Sequence, residues 1–255
     1  MTRPKLNPPC IGWQVDLPCP FDPPIVQPCM GYDSPNCLNE IYLEFPRASS
    51  RKRGIVIWLA LALLGAHIFF TFENEFSSST EHGLIAIWCG ATLFALLSAY
   101  TLFRNDVSFP RDEPIRFNRA RQRVYAYNFR FRWWNPFARW HVETVTYDWC
   151  QVRAEGWRLR GTTTQGGILS TWGVMLSIIE PTTNKVIDRF PLTTMGADEF
   201  AWAYICTYMQ QGVEALPKPA PPHDHNDVPW YNLALRLAPK VQWPDEMDRE
   251  SRTAP

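Results

Sequence analysis

Two long apolar runs constrain this chain more than any other feature of its sequence. They extend from Gly54 to Phe72 and from Gly83 to Phe103, and neither contains Asp, Glu, Lys or Arg. Each has about 20 residues, the length at which an α-helix crosses the ~30 Å hydrocarbon layer of a bilayer. Uncharged runs of this length are rare in soluble cores. The sequence therefore predicts a transmembrane helical hairpin, and the alternative is a buried hairpin in a soluble protein.

The charges around these runs predict an orientation. Lys and Arg flank the outer ends of both runs, whereas residues 73–82 between them hold three Glu and no Lys or Arg. Short basic flanks stay on the cytoplasmic side of a membrane. We therefore expect two membrane helices with both termini in the cytoplasm. The residues expected at the membrane surface are Arg51, Lys52, Arg53, Arg104 and Arg111.

Small side chains recur along both runs and let two helix backbones approach closely in lipid. They are predicted to pack the two helices together or, alternatively, to form a homodimer interface. His67 lies within the first run without a second ionisable partner in the apolar runs, so we expect it to hydrogen-bond across the hairpin or reach the outer headgroups rather than relay protons. The predicted packing residues are Ala62, Ala66, Ala91, Ala95 and Ala99.

The chain divides into four predicted parts. Residues 1–50 form a proline-rich cytoplasmic arm, 51–104 the transmembrane hairpin, 105–217 a cytoplasmic antiparallel β domain, and 218–255 a proline-rich tail. Proline lacks an amide hydrogen and fixes its own φ, which excludes regular helix from the arm. The arm is nevertheless too apolar for a disordered segment, so we expect it to lie along the β domain. Asn39 to Phe45 is predicted to add one short strand.

The third part changes to the two-residue period of strands. Apolar residues alternate with polar ones around a turn at residues 118–122, and four further strand patterns follow up to residue 192. Asp198 to Leu216 then shows helical spacing, with acidic residues at its start. This order predicts an α+β membrane protein in which a strand-rich domain carries a C-terminal helix. The order of elements resembles the pleckstrin-homology-like roll.

No motif in the sequence predicts a reaction. The 25 Lys and Arg balance the 25 Asp and Glu, so no overall charge draws the chain to nucleic acid. Four of the seven cysteines lie in the arm, but wider apart than zinc ligands usually are. Cys150 with His141 and the pair His223 and His225 are weak candidates for a nucleophile and a metal site, and a plain linker explains the latter pair better. We therefore predict no catalytic residue, no metal and no cofactor, and a protein that is not an enzyme.

Arginines and aromatic rings interleave between Arg116 and Arg139. Such a pattern can bind anionic lipid headgroups or single-stranded nucleic acid. It is also what a half-buried β-hairpin with inward rings and outward arginines looks like, and this last interpretation explains most of it. We expect contact with the membrane surface or a protein partner in addition, and no nucleic acid. The predicted partner-binding residues are Arg132, Trp133, Trp134 and Trp140.

Three stretches carry a family resemblance: Pro114 to Tyr127, Glu180 to Phe190 and Ala201 to Pro217. Together with the hairpin and with Tyr42 to Arg47, they resemble an uncharacterised family of proteobacterial inner-membrane proteins whose genes often lie beside type VI secretion effectors. The resemblance covers residues 40–217 and implies no catalytic residue. It implies an inner-membrane location and a role in immunity to a secreted toxin or in effector handling. The alternative is a lipid-sensing or scaffolding module of the inner membrane.

Overall fold

The structure, a computed structural model, describes residues 3–30, 34–47, 53–75, 82–132, 135, 137–162, 168–192, 199–217 and 228–255. Its strands are β1 Trp13–Asp16, β2 Cys37–Leu38, β3 Tyr42–Phe45, β4 Ile115–Asn118, β5 Arg123–Arg130, β6 His141–Asp148, β7 Val152–Thr162, β8 Ile168–Ile179 and β9 Val186–Pro191. Its helices are α1 Ile55–Glu75, α2 His82–Val107, α3 Glu199–Gln211, α4 Leu233–Leu237 and α5 Asp245–Arg252.

The strands form two antiparallel sheets, one in the order β2-β3-β4-β5-β6 and the other in the order β1-β7-β8-β9. The α+β class with a helix after the last strand is therefore confirmed. The predicted hairpin around residues 118–122 is β4–β5, in which Ile115 pairs with Ala126 and Phe117 with Val124. These four residues lie on the inner face. The rings of Tyr125 and Tyr127 on β5 instead contact Glu250 and Trp243 of the tail, so the expected inward orientation of the β5 rings is wrong.

One core joins the two sheets and α3. Trp149 is fully buried between the sheets, where its ring meets Phe117 edge-on at 6.0 Å and Trp202 of α3 at 5.5 Å. The central turns of α3 are buried almost throughout, from Ala201 to Met209. Burying each of these large side chains contributes about 1.5–3 kcal/mol. The helix predicted over residues 198–216 is thus realised as α3 and covers the core.

The two long helices lie in the chain connection between two neighbouring strands of the five-stranded sheet. β3 and β4 are direct neighbours, with Phe45 opposite Ile115 and Tyr42 opposite Asn118. The connection between these two paired strands contains both α1 and α2. The N-terminal segment therefore supplies a central strand of the five-stranded sheet. The strand expected within residues 39–45 is confirmed, and the arm lies along the β domain.

α1 and α2 pack against each other along their lengths. Nε2 of His67 lies 3.0 Å from Oγ1 of Thr92, which confirms the predicted hydrogen bond across the hairpin. On α1 the less exposed positions recur every three or four residues, a period that keeps one face toward a neighbouring helix. They are Ile57, Ala60, Leu64, His67 and Thr71.

The small-residue prediction is met on one helix only. On α2, Ala99 is buried and Ala95 half-buried, whereas Ala91 is exposed. On α1, Ala62 and Ala66 are exposed because they lie off the face that starts at Ile57, so they do not pack the pair. Close approach on α1 depends instead on Ala60, which is buried.

One helix among the described residues is long and apolar enough to cross a membrane, over Ile55–Glu73. The predicted second span falls in α2, whose side chains are described from Cys89 onward. The expectation of a two-span hairpin is therefore supported for its first helix alone.

The tail differs from the predicted linker. It forms α4 and α5, and α5 packs on β4. Neither helix was predicted: α4 has only five residues, too few to show a helical period, and α5 is rich in charge and has no apolar stripe of its own. His223 and His225 lie outside the described residues.

Candidate membrane-facing site at the base of the helix pair

The base of the helix pair is a rigid joint built on one buried acid. Asp106 near the end of α2 accepts hydrogen bonds from the backbone N–H groups of Gly54 and Ile57, at 3.2 and 3.1 Å, and so caps the start of α1. Arg53 donates to the carbonyl oxygens of Asp106, Phe109 and Pro110 at 2.6–2.8 Å. Burial lowers the pKa of the Arg53 guanidinium. These bonds satisfy free amides at one helix start and carbonyls after the other helix end.

The tail completes this joint. Nδ2 of Asn232 donates to the carbonyl of Arg53 at 2.9 Å, and its Oδ1 accepts from the N–H of Leu235 and caps α4. Gly54 adopts a φ of +96°, and a Cβ there would lie 2.5 Å from Oδ1 of Asn232. Nε of Arg111 donates to the carbonyl of Leu235 at 3.1 Å. The helix pair, the β domain and the tail therefore meet in one packed unit.

A second clamp holds the two strands that lead into and out of the helix pair. Arg47, next to β3, is buried and donates to the carbonyls of Glu113 and Tyr127. Burial lowers its pKa to about 10. The carboxylate of Glu113 accepts from the N–H of Phe129 at 2.8 Å, and burial raises its pKa. The clamp fixes the direction in which the helices leave the sheet.

Aromatic rings surround the base of the helices on one side. Trp140 packs with Phe109, Phe129 and Phe131 at centroid distances of 6.0–6.4 Å. Phe109 lies closer to the other two phenylalanine rings, at 4.7 and 4.6 Å. The guanidinium of Arg104 lies 4.3 Å from the Trp140 ring and donates to the carbonyl of Ala138. A cation over an aromatic face in a partly buried site is stabilised by about 0.5–2 kcal/mol.

More aromatic side chains extend outward at the same level. Phe137 stacks on Tyr100 of α2 at 5.8 Å and is 70% exposed. On the tail, Trp230 and Tyr231 are 82% and 62% exposed and directly precede Asn232 of the joint. Trp and Tyr favour membrane–water interfaces because each has an apolar body and a polar edge. We call these exposed and half-exposed rings the aromatic collar: Tyr100, Phe131, Phe137, Trp140, Trp230 and Tyr231.

The predicted surface arginines have specific partners. Arg53, Arg104 and Arg111 all donate to backbone carbonyls at the joint or the collar rather than projecting freely. Arg51 and Lys52 lie outside the described residues. The sequence could not reveal these bonds, because a flanking arginine looks the same whether its partner is a headgroup or a carbonyl.

Of the four predicted partner-binding residues, the structure describes two. Trp140 belongs to the collar, and Arg132 is exposed beside it. Trp133 and Trp134 lie outside the described residues. The collar residues Trp230 and Tyr231 were not predicted, although the Trp-Tyr pair just before Leu233 and Leu235 was a visible signal.

Three arginines of the β4–β5 hairpin, Arg116, Arg121 and Arg123, bind the tail, whereas Arg130 pairs with Glu143 and Asp188 of the sheets. Arg116 is 2% exposed and binds Glu44 at 2.5 Å and Asp248 at 2.6 Å. Arg123 pairs with Glu250 at 2.6 Å. The interleaved pattern therefore arises from a sheet with apolar residues on its inner face and a charged tail on its outer face.

The described nucleophile candidates have no activating arrangement. His141 begins β6 and Cys150 follows its end, so an eight-residue strand separates them by about 23 Å. Burial raises the pKa of the Cys10 thiol to about 11 and raises that of Cys206 further. Both buried thiols are therefore protonated at neutral pH. No group of three His, Cys, Asp or Glu suited to a metal ion occurs within the part of the chain that the structure describes.

Fold and site together define an α+β protein in which two antiparallel sheets carry an apolar helix pair with exposed aromatic side chains near its base. The chain belongs to a family of unknown function, DUF6708, which matches residues 91–255. The matched region begins within α2 and includes the tail, so the joint residues Asp106, Arg111 and Asn232 all fall inside it. No curated protein and no solved structure matches the chain.

Proposed function

We propose that this protein is a membrane-anchored binding protein without enzymatic activity. In the proposed arrangement α1 and α2 both cross the bacterial inner membrane, and both termini are cytoplasmic. The β domain, a roll like that of pleckstrin-homology domains, lies against the inner leaflet. The observation that carries this proposal is the aromatic collar around the joint, since exposed rings at the foot of a membrane helix match the interfacial zone of a bilayer.

The rigid joint supports the same proposal. A flexible tether would let the β domain tumble, whereas Asp106, Arg53 and Asn232 bond the helices to the domain and to the tail. A fixed orientation presents the same surface of the domain to the cytoplasm in every molecule. Such presentation reduces the orientational loss when a partner binds.

The partner we propose is a secreted toxin of a type VI secretion system, for which the chain acts as an immunity or effector-handling protein. The sequence resemblance supports this partner class. The genetic test is deletion of the gene in cells that do or do not carry the neighbouring effector gene. We expect growth to fail only in cells with the intact effector, and a harmless deletion beside an active toxin would reject the immunity role.

Membrane anchoring has its own test. The full chain carrying a fluorescent reporter at its C-terminus should fluoresce in the cytoplasm and should need detergent for extraction from membranes. A periplasmic-only reporter signal, or a purified chain that stays soluble without detergent, would overturn the anchored arrangement.

The alternative function, a lipid-sensing or scaffolding module, is favoured by the exposed aromatic collar itself. It predicts that the detergent-purified chain prefers vesicles containing anionic lipid, and that this preference weakens with salt. An Arg132→Ala variant should reduce that preference, because Arg132 is exposed and follows the collar residue Phe131, whereas Arg123→Ala, at the opposite end of β5, should not. Equal partitioning into neutral and anionic vesicles would remove this alternative.

A further inference from the structure

The N-terminal arm divides into two stretches that are held differently. Residues 6–12 are fixed on the outer face of the four-stranded sheet, where the N–H of Cys10 donates to the fully buried carboxylate of Glu155 at 3.0 Å. Arg189 binds the same carboxylate and the carbonyl of Pro8. Residues 13–29, which we call the arm segment, then pass the edge of β7 and cross α3.

The arm segment adds a strand to the free edge of β7. In β1, Val15 lies opposite Gly156 and Asp16 opposite Glu155, with an irregularity after Trp13. Leu17 continues the pairing with a bond from its N–H to the carbonyl of Ala154 at 2.9 Å. An extended peptide added to a sheet edge is bound mainly through its backbone, so many sequences fit the same edge.

Side chains of α3 donate hydrogen bonds to backbone carbonyl oxygens of the arm segment. Nε1 of Trp202 donates to the carbonyl of Pro18 at 2.9 Å. Nε2 of Gln210 donates to the carbonyls of Pro20 and Asp22 at 2.8 and 3.0 Å. Proline keeps its carbonyl acceptor but has no N–H donor, so a helix that offers side-chain donors suits a proline-bearing segment.

The side chains of the arm segment are buried unevenly: Leu17 packs against the core and Pro20 is buried, but three other apolar side chains remain largely in solvent. Phe21 is 60% exposed, Ile25 83% and Val15 45%. A cavity of about 100 Å³ remains between the segment and α3, lined in part by Ile25, Trp202 and Cys206. A structural strand that stabilised the core would bury these apolar groups. The segment therefore fills the space between β7 and α3 as a replaceable ligand would.

We propose that the edge of β7 and the donor side chains of α3 form a binding groove for an extended, proline-bearing segment of a partner protein. Residues 13–29 occupy this groove in the free chain and are displaced when the partner binds. Both ends of the arm segment stay attached to the sheets, through residues 6–12 and through β2. This inference rests on the proposed binding function and names the chemistry of its partner.

Because the arm segment already occupies the groove, it determines how tightly a free peptide can bind there. A segment tethered at both ends competes at an effective concentration of about millimolar, so free peptide binds weakly until the arm segment is loosened. Gly12 offers a way to loosen it by a change in the arm alone, which leaves the residues of β7 and α3 that form the groove unaltered. Its φ is +74°, and a Cβ there would lie 2.8 Å from the carbonyl oxygen of Arg158. Gly12→Val should therefore lift the arm segment from β7.

The test uses the full chain in detergent and a fluorescent peptide with the sequence of residues 12–29, its two cysteines replaced by serine. Binding is followed by fluorescence anisotropy. We expect Gly12→Val to bind the peptide at least about tenfold more tightly than the wild-type chain. Ile11→Ala, at a neighbouring exposed position, should bind as the wild type does. A peptide with its prolines replaced by alanine should bind more weakly.

The groove residues are tested in the Gly12→Val background. Gln210→Ala should weaken peptide binding several-fold, whereas Gln211→Ala, the exposed next residue on α3, should leave it unchanged. No gain from Gly12→Val, or equal effects of the two glutamine changes, would overturn the groove. A Gly12→Val chain that instead forms a dimer by exchanging arms would replace the partner protein with a second copy of this chain and overturn that part.

A second measurement needs no variant and guards against a misfolded one. Excess peptide added to the wild-type chain should speed hydrogen exchange in residues 13–29 while β7 and α3 stay protected. Unchanged exchange in the arm segment at saturating peptide would count against displacement. These readouts come from the β domain, so they can fail while membrane extraction and reporter results still support anchoring, and the reverse also holds.

Discussion

The arm and the tail look alike in sequence and are held in opposite ways. Both are rich in proline and both fold back on the two sheets. The tail is fixed by charge: Arg116 is buried between Glu44 and Asp248, and its guanidinium lies 4.5 Å from the Trp243 ring. The arm segment is held by uncharged bonds to its backbone carbonyls. Proline content therefore identifies a segment that cannot join a regular helix, but not what binds it or how firmly.

The buried ion pair that holds the tail and the neutral hydrogen bonds that hold the arm segment contribute differently to the free energy of unfolding. Breaking a buried ion pair by removing one partner costs about 3–5 kcal/mol, because the other charge is left buried without compensation. A neutral hydrogen bond contributes about 1 kcal/mol net. The tail should therefore behave as a permanent part of the domain and the arm segment as its exchangeable part.

The largest expected effect is on the tail. Arg116→Ala removes the buried cation that binds both Glu44 and the tail residue Asp248, so we expect the free energy of unfolding to fall by about 3–5 kcal/mol. Chemical denaturation followed by tryptophan fluorescence measures this loss. The matched control is Arg123→Ala, whose 44%-exposed pair should be worth no more than about 1 kcal/mol. Equal losses in the two variants would show that the buried ion pair of Arg116 holds the tail no more firmly than an exposed one.

The second prediction concerns the tail at the joint. Asn232→Ala removes the cap of α4 and the donor to the carbonyl of Arg53, and should cost about 1–2 kcal/mol. Hydrogen exchange at the amides of Gly54 and Ile57 should then accelerate, because the joint opens more often. Leu237→Ala, at a 58%-exposed position of α4, is the control. Unaltered exchange in Asn232→Ala would mean that the tail does not brace the helix pair.

A smaller effect is expected on the arm. Gln210→Ala removes the donor to the carbonyls of Pro20 and Asp22 and should lower the free energy of unfolding by only about 1 kcal/mol. Limited proteolysis within residues 18–29 should nevertheless become faster, since this region opens locally. Gln211→Ala should match the wild type in both measurements. A loss as large as that of Arg116→Ala would show that the arm is as integral as the tail.

The smallest effect concerns pH. Partial burial raises the pKa of Glu250, but the hydrogen bonds that its carboxylate accepts from Arg123 and Tyr125 outweigh burial and lower the pKa below the ordinary 4.5. A carboxyl group whose pKa is lower in the folded than in the unfolded chain stabilises the folded state at pH above 4.5. This contribution is lost as the pH falls through the pKa of the folded state. The wild-type chain should therefore lose slightly more stability between pH 5 and 3 than Glu250→Gln does. Identical pH profiles for the two chains would contradict this assignment.

Regular periodicity made some of this fold predictable from sequence. The alternation in β4 and β5, the apolar run of β8 and the helical spacing of α3 led to the observed elements, although α3 ends at Gln211, five residues before the predicted end. Such patterns report burial on one face, which the whole core imposes. The hydrogen bond of His67 across the hairpin was predictable for a different reason. The apolar runs offered it no second ionisable side chain as a partner, so a polar group on the neighbouring helix was the expected one.

The parts that sequence could not reveal depend on distant partners. The ion pairs of Asp248 and Glu250 were not predicted, because their arginine partners lie more than 120 residues earlier. Arg53 and Arg104 read as headgroup contacts, because the carbonyls that they bind are invisible before the chain is folded. β1 was missed because its four residues pair only with the edge of β7 and bury little.

The insertion of α1 and α2 between β3 and β4 also sets an order of assembly. During synthesis, Leu43 and Phe45 emerge long before Ile115 and Phe117, the residues that pair with them. Until both long helices have left the ribosome and found their place, the sheet stays unfinished and its apolar edge stays uncovered. A ribosome stalled after α2 would therefore release a nascent chain that chaperones and proteases recognise as incomplete.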